Sequence, residues 1–156
     1  KMQFLNYFFA SVISFLGLMI GLMLVKIAPE EQKPLEKYLI LARKIMLLMI
    51  FIFIMFYYFN NWFYAVTLIA YFAFLLFMEY KANDMLKKSM LIYAVLGILF
   101  FLSSKNTNLF TIESSLILLY GLPTASLMYK RKEKNHHKII FYNIVFIIIA
   151  NMLFFV

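Results

Sequence analysis

The sequence predicts an all-α polytopic membrane bundle of about six transmembrane helices, with both termini on one side of the bilayer and the basic loops on the other. Three observations carry this. The 156 residues are 65% hydrophobic and only 14% charged, whereas a soluble domain is about 45–50% apolar and about 25% charged. The apolar residues fall in runs close to the ~20 residues that cross a bilayer core. The basic residues sit in alternate connectors. Surface-to-volume scaling leaves a soluble chain of this size too little interior to hide so much apolar surface. Barrel strands are excluded by the length and uniformity of the runs, so helices remain as the structures that satisfy their own backbones in lipid.

The runs lie at about 3–25, 38–59, 62–80, 89–104, 109–129 and 139–156, read as one transmembrane domain over 1–156. The first is longer than the ~7–15 residue core of a signal peptide and is counted as a span. It contains Gly17-Leu18-Met19-Ile20-Gly21, extended upstream by Ala10 and Ser14, a small-residue face for close helix approach. Packing within the chain is the expected use, and a homodimer seam the alternative.

Between spans 1 and 2, Pro29 and Pro34 interrupt the helical pattern, which resumes from Leu35. There Glu36, Lys37, Arg43 and Lys44 fall on one stripe, with Tyr38, Leu39, Leu41, Ala42 and Ile45 on the other face. The stripe is read as a solvated or headgroup-facing surface, or as a docking face for a partner. Spans 2 and 3 are joined at Asn60-Asn61, flanked by Phe56, Tyr57, Tyr58, Trp62 and Tyr64, rings that favour the headgroup level. Counting outward from that turn sets Glu79 level with Arg43, so a Glu79 ion pair with Arg43 or Lys44 is expected, because an unpaired charge there is costly. The alternative role for Glu79 is a catalytic or ion-coupling carboxylate.

Span 4 is short, with Lys87 and Lys88 at its foot expected to snorkel to the headgroups; a re-entrant fourth run, leaving five spans, is the alternative. Span 5 carries Tyr120-Gly121-Leu122-Pro123-Thr124-Ala125-Ser126. Pro123 removes a helix hydrogen bond and strains the Leu119 carbonyl, which must be satisfied from elsewhere in lipid. Asn143 of span 6 sits at the depth to donate to it, while Thr124 and Ser126 can bond back into their own helix. A packing kink is the ordinary reading, and a hinge or small polar cavity the sharper one. Glu113, Ser114, Ser115, Asn151 and Asn6 fall near the opposite surface and suggest a polar vestibule, with Lys105 as counter-ion to Glu113. Glu113 lies about four residues inside, so snorkelling to water is expected of it.

Thirteen of the fifteen basic residues occupy the connectors after spans 1, 3 and 5; only Lys1 and Lys105 lie opposite. By the positive-inside rule those connectors are cytoplasmic and both termini external. The net charge of +8 then reflects attraction to anionic headgroups rather than nucleic-acid binding. No Cys is present, which excludes disulfides and thiolate chemistry. His136 and His137 are adjacent in a basic loop without acids around them, and neither a metal nor a cofactor is expected. The sequence contains no GxSxG, HExxH, Walker or GxGxxG pattern.

The expected function is therefore a non-enzymatic structural or assembly component of a membrane complex, with membrane lipids and a protein partner. A small transporter, channel or lipid-handling protein, and a lipid-modifying enzyme at the cytoplasmic face, are the alternatives. Richness in Lys, Asn, Ile, Phe and Tyr suggests an AT-rich genome, hence a microbial cell membrane or an organellar inner membrane.

Overall fold

The computed structural model describes residues 3–58, 85–129 and 136–155, together with positions 62, 66, 68–70, 72 and 73. Most of the third apolar run, Glu79 among it, lies outside the described residues. So do Lys81 and the basic connector Lys130–Lys134.

The described chain is helical: α1 (Phe4–Ile27), α2 (Gln32–Tyr58), α3 (Met85–Ser103), α4 (Thr107–Met128), α5 (His136–Asn143) and α6 (Val145–Phe154). Helices α5 and α6 together make one apolar rod, so five helical rods are long and apolar enough to cross a membrane. This is an all-α polytopic bundle. At 1.5 Å per residue, α1 with 24 residues spans roughly 36 Å and α2 with 27 roughly 40 Å. Both exceed the ~30 Å of a hydrocarbon core. Helix α3 is unbroken over 19 residues, long and apolar enough to cross a membrane as one helix. It starts earlier than the sequence implies, so Lys88 is buried in its first two turns and does not snorkel outward.

Local sequence explains the helix ends. Asn106 caps α4, its side chain accepting from the backbone N–H of Asn108 and Leu109 at 3.0 and 3.3 Å. Helix α2 begins at Gln32, before Leu35, with Pro34 in its first turn, where the missing N–H has no intrahelical use. Gln32 Nε2 then donates to the carbonyls of Ser126 and Tyr129 at 2.6 and 2.9 Å. It thereby ties the start of α2 to the end of α4, whose last carbonyls have no partners of their own. The break between α5 and α6 coincides with Asn143, whose Nδ2 donates to the Ile139 carbonyl at 2.7 Å. This backward bond competes with the helix's own hydrogen bond at that step.

Helix α4 is the hub and packs on α1, α2 and α3; α3 in turn packs on α5 and α6. Helices α1 and α4 run parallel, with Ser14 opposite Ser114, Gly17 opposite Leu118 and Gly21 opposite Leu122. Tyr58 Oη donates to the Leu102 carbonyl at 2.7 Å, which sets the ends of α2 and α3 at one level. Tyr7 Oη donates to the Ala150 carbonyl at 2.9 Å, which sets the start of α1 beside the end of α6. Thus Lys26, Lys33, Lys37, Lys87, Lys88 and Lys138 gather at one end of the bundle, and Lys105 lies at the other.

The seam between α1 and α4 depends on glycine. A Cβ at Gly17 would lie 1.9 Å from the Leu118 carbonyl oxygen, and one at Gly121 2.4 Å from the Leu18 nitrogen. The GxxxG is therefore used inside the chain. Outward, the helices present an apolar belt: Ile13, Met23, Leu41, Ile52, Phe56, Ile148 and Met152 are each half-exposed or more. Lipid is the solvent such a belt fits.

Candidate functional site

The interior between α1, α3, α4 and α6 holds the polar positions a function has to use. On α4, helical periodicity places Glu113, Ile117, Tyr120 and Thr124 on one stripe. A second stripe, Ser114, Leu118, Gly121 and Ala125, meets α1. The first stripe faces α3, where Tyr93 and Tyr120 bring their ring centroids to 5.8 Å. Closer to the Lys105 end, Tyr7, Phe100 and Phe110 form an aromatic group with centroids 4.8–5.8 Å apart.

Glu113 is the buried acid of this interior. It is fully buried, and neither carboxylate oxygen has a hydrogen-bond partner among the described residues. It turns inward between Phe110 and Ile117 on α4 and does not snorkel. Two turns of α4 separate it from Thr107, which keeps it roughly 9 Å from the helix start and below the reach of a flexible carboxylate to water.

The expected vestibule is not assembled as a group. Asn6 and Ser115 point outward, and Ser115 bonds back to the Thr111 carbonyl at 2.9 Å. Ser114 bonds back to the Phe110 carbonyl. Asn151 instead meets α1, its Nδ2 donating to Ser11 Oγ at 3.1 Å and to the Ile147 carbonyl at 2.8 Å. Ser11 and Asn151 lie near the level of Glu113, since α1 and α4 pair Ser14 with Ser114. Asn151 Oδ1 is buried and has no hydrogen-bond partner.

At the lysine-rich end, Asn143 takes a different partner from the one its depth suggests. Its Oδ1 accepts from Ser89 Oγ at 2.7 Å and its Nδ2 is engaged with Ile139, so the Leu119 carbonyl is not its target. Pro123 sits inside a helix that continues to Met128. Thr124 Oγ1 donates to the Tyr120 carbonyl at 2.7 Å and Ser126 Oγ to the Leu122 carbonyl at 3.0 Å. These backward bonds keep both hydroxyls inside α4.

The charged stripe on α2 divides. Glu36, Lys37 and Lys44 are exposed, while Arg43 is buried. Arg43 heads the inward row Leu47, Ile50, Phe51 and Ile54. The apolar face expected to be covered is the outer one, with Tyr38 70% and Leu41 56% exposed. In a bundle solvated by lipid the usual amphipathic sense reverses at Arg43: the hydrocarbon takes the apolar face, and the guanidinium turns to the protein. The Glu79 partner proposed for Arg43 and Lys44 lies outside the described residues.

Two cavities adjoin the bundle. One of about 400 Å³ is lined by Leu48, Phe51, Ile52, Met55, Phe56, Leu68, Ile69 and Phe72 and is wholly apolar. The other, about 210 Å³, lies at the lysine-rich end beside Leu24, Ala28, Glu31, Gln32 and Ser126. Neither is lined by Glu113, Pro123, Thr124, Asn143 or Asn151. His136 and His137 lie close together at the start of α5, their tilted rings 3.9 Å apart between centroids, and do not diverge as successive helical positions ordinarily do. Among the described residues no three His, Asp or Glu side chains gather as a metal set.

Sequence reasoning missed Tyr7, Ser11, Tyr93 and Gln32. Nothing in their neighbours marks them, because a Tyr or Ser in an apolar run reads alike whether it faces lipid or protein. Comparison with protein-family models, curated proteins and solved structures yields no match for this chain, so its candidate site is defined by the geometry above.

Proposed function

We propose that this chain is a multi-pass integral membrane protein that serves as a non-enzymatic structural or assembly component of a membrane complex. The observation that carries the reading is the closure of the hub. Helix α4 meets α1 backbone to backbone with no room for a methyl group at Gly17 or Gly121. Its hydroxyls at Ser114, Thr124 and Ser126 are bonded within the helix. A bundle held this tightly is suited to presenting surfaces rather than opening a path. The surfaces are the apolar groove along α2, which fits an acyl chain or a partner helix, and the lysine-rich end, which suits anionic headgroups.

Native mass spectrometry of the protein released from its own membrane into nanodiscs tests this. A second polypeptide in fixed stoichiometry is the expected result. A lone chain carrying a defined lipid or small molecule overturns it in favour of transport or lipid handling. That second reading has one observation in its favour, the unpartnered Glu113 inside the bundle.

The lysine-rich end is assigned to the cytoplasm and both termini to the outside, in a microbial cell membrane, with an organellar inner membrane as the alternative. The positive-inside rule supports the assignment. Because the chain has no Cys, single replacements are unique labels. Asn108→Cys should react with an impermeant maleimide in intact cells, and Lys33→Cys only after permeabilisation. The opposite pattern reverses the assignment.

A further inference from the structure

Near the level of Ser11 the bundle interior holds buried hydrogen-bond acceptors without partners among the described residues. The side-chain donors that the described residues of α1, α4 and α6 bring to that level are engaged elsewhere. Tyr7 Oη donates to Ala150, Ser11 Oγ to the Phe8 carbonyl at 2.7 Å, Ser14 Oγ to the Ser114 carbonyl at 3.1 Å and Ser114 to Phe110. Both N–H bonds of Asn151 Nδ2 have acceptors, Ser11 Oγ and the Ile147 carbonyl. Three buried acceptor oxygens receive nothing: Oε1 and Oε2 of Glu113 and Oδ1 of Asn151. The Tyr93 hydroxyl on α3, whose ring packs among Phe15, Tyr120 and Phe146, is also buried without a hydrogen-bond partner among the described residues. Turning the Asn151 amide over does not repair this, because its oxygen would then face the Ile147 carbonyl oxygen. A buried polar group without a partner calls for an explanation, and at Glu113 and Asn151 the groups without one are acceptors.

We propose that Glu113 is the acidic ligand of a site for one small monovalent cation, a hydron or a sodium-sized alkali ion, near the end of the bundle opposite its lysines. Charge and size select this class. One carboxylate balances one positive charge, whereas divalent cations are ordinarily held by several carboxylates and carbonyls. An organic ammonium does not fit, because Tyr7, Phe100 and Phe110 fill the neighbouring space with centroids 4.8–5.8 Å apart. The titratable groups on the surrounding helices are Tyr7 on α1, Tyr93 on α3 and Tyr120 on α4; Lys105 lies in the turn before α4, and Arg43 and Lys88 lie toward the other end. The site is independent of whether the bundle serves a complex.

The test uses the full chain in nanodiscs, with sodium itself as the probe. Thermal unfolding is followed in sodium chloride and in choline chloride at equal ionic strength, and infrared spectra are taken of wild type and Glu113→Gln. If the occupant is an alkali ion, saturating sodium raises the wild-type midpoint by on the order of 5 °C and leaves Glu113→Gln unmoved. If it is a hydron, wild type shows a carboxylic-acid carbonyl band that moves in heavy water and is missing in Glu113→Gln. An ionised Glu113 carboxylate together with no sodium-dependent shift overturns the proposal. Should Glu113→Gln fail to fold, wild type with isotope-labelled glutamate decides alone: a labelled acid band or a sodium shift supports the site, and neither refutes it.

Discussion

Helix α4 is packed in two different ways on its two sides. Toward α1 it is steric: Gly17, Gly21 and Gly121 let the backbones touch, and one hydroxyl, Ser14, crosses the seam. Toward α3 it is chemical: tilted rings meet, and Glu113, Tyr93 and Tyr120 are buried among them. In lipid no hydrophobic force separates helix faces, so contact quality and polar pairing drive association. The first side rests on close approach with one hydrogen bond across it, and the second on rings packed around buried polar groups. The lesson is that mutational sensitivity on the two sides should scale with different quantities, close approach on one and ring packing around buried polar groups on the other.

The largest effects belong to the steric side. Gly17→Ala and Gly121→Ala drive a methyl group into backbone atoms at 1.9 and 2.4 Å, which a flexible side chain cannot relieve. We expect each to cost about 3 kcal/mol or more, at the upper end of overpacking, and to abolish recovery of monodisperse protein in detergent. Gly97 is the control, since its added Cβ would meet Phe146 and Ile149 of α6 at 3.0–3.3 Å. Gly97→Ala should cost about 1 kcal/mol by thermal unfolding. Equal losses at Gly17 and Gly97 would mean that the α1–α4 seam is not the tighter of the two.

A smaller effect is expected where α3 meets α5. Asn143→Leu removes the acceptor of Ser89 Oγ and leaves that hydroxyl buried, at about 1–2 kcal/mol. Ser89→Ala in the same background should recover part of the loss, since it removes the orphaned group. No recovery would show that Asn143 acts through the α5–α6 break and not through Ser89.

The steric side was legible in the sequence and the chemical side was not. Gly17 and Gly21 four residues apart announce a close helix contact whatever the partner, because only missing side chains permit it. The five described spans, too, were visible as apolar runs, to within about six residues at their ends. Polar residues carry no such direction. Glu113 looked like a surface acid because sequence gives depth along the chain and not rotation about the helix. Arg43 was set on an outer stripe by a rule for soluble helices that lipid reverses. Asn143 was assigned the Leu119 carbonyl by depth, yet its Nδ2 donates to the Ile139 carbonyl of its own helix and its Oδ1 accepts from Ser89.

The smallest effects compare the α1–α4 seam with the α1–α6 contact through single hydroxyls on α1. Tyr7→Phe removes the bond to Ala150 on α6 but keeps the ring against Phe100, Phe110 and Phe154, whose centroids lie at 5.1, 5.8 and 4.7 Å. The expected loss is about 1 kcal/mol, that of one interhelical hydrogen bond. Ser14→Ala removes the one side-chain hydroxyl crossing the α1–α4 seam yet leaves every backbone contact there intact. It should cost about half as much, because glycine packing already holds the two helices and the Ser114 carbonyl lies within helix α4. Unfolding midpoints of the two variants in one detergent give the ratio directly. A Ser14→Ala loss larger than that of Tyr7→Phe would make the seam polar in origin, and the division of α4 into a steric and a chemical side would then fail.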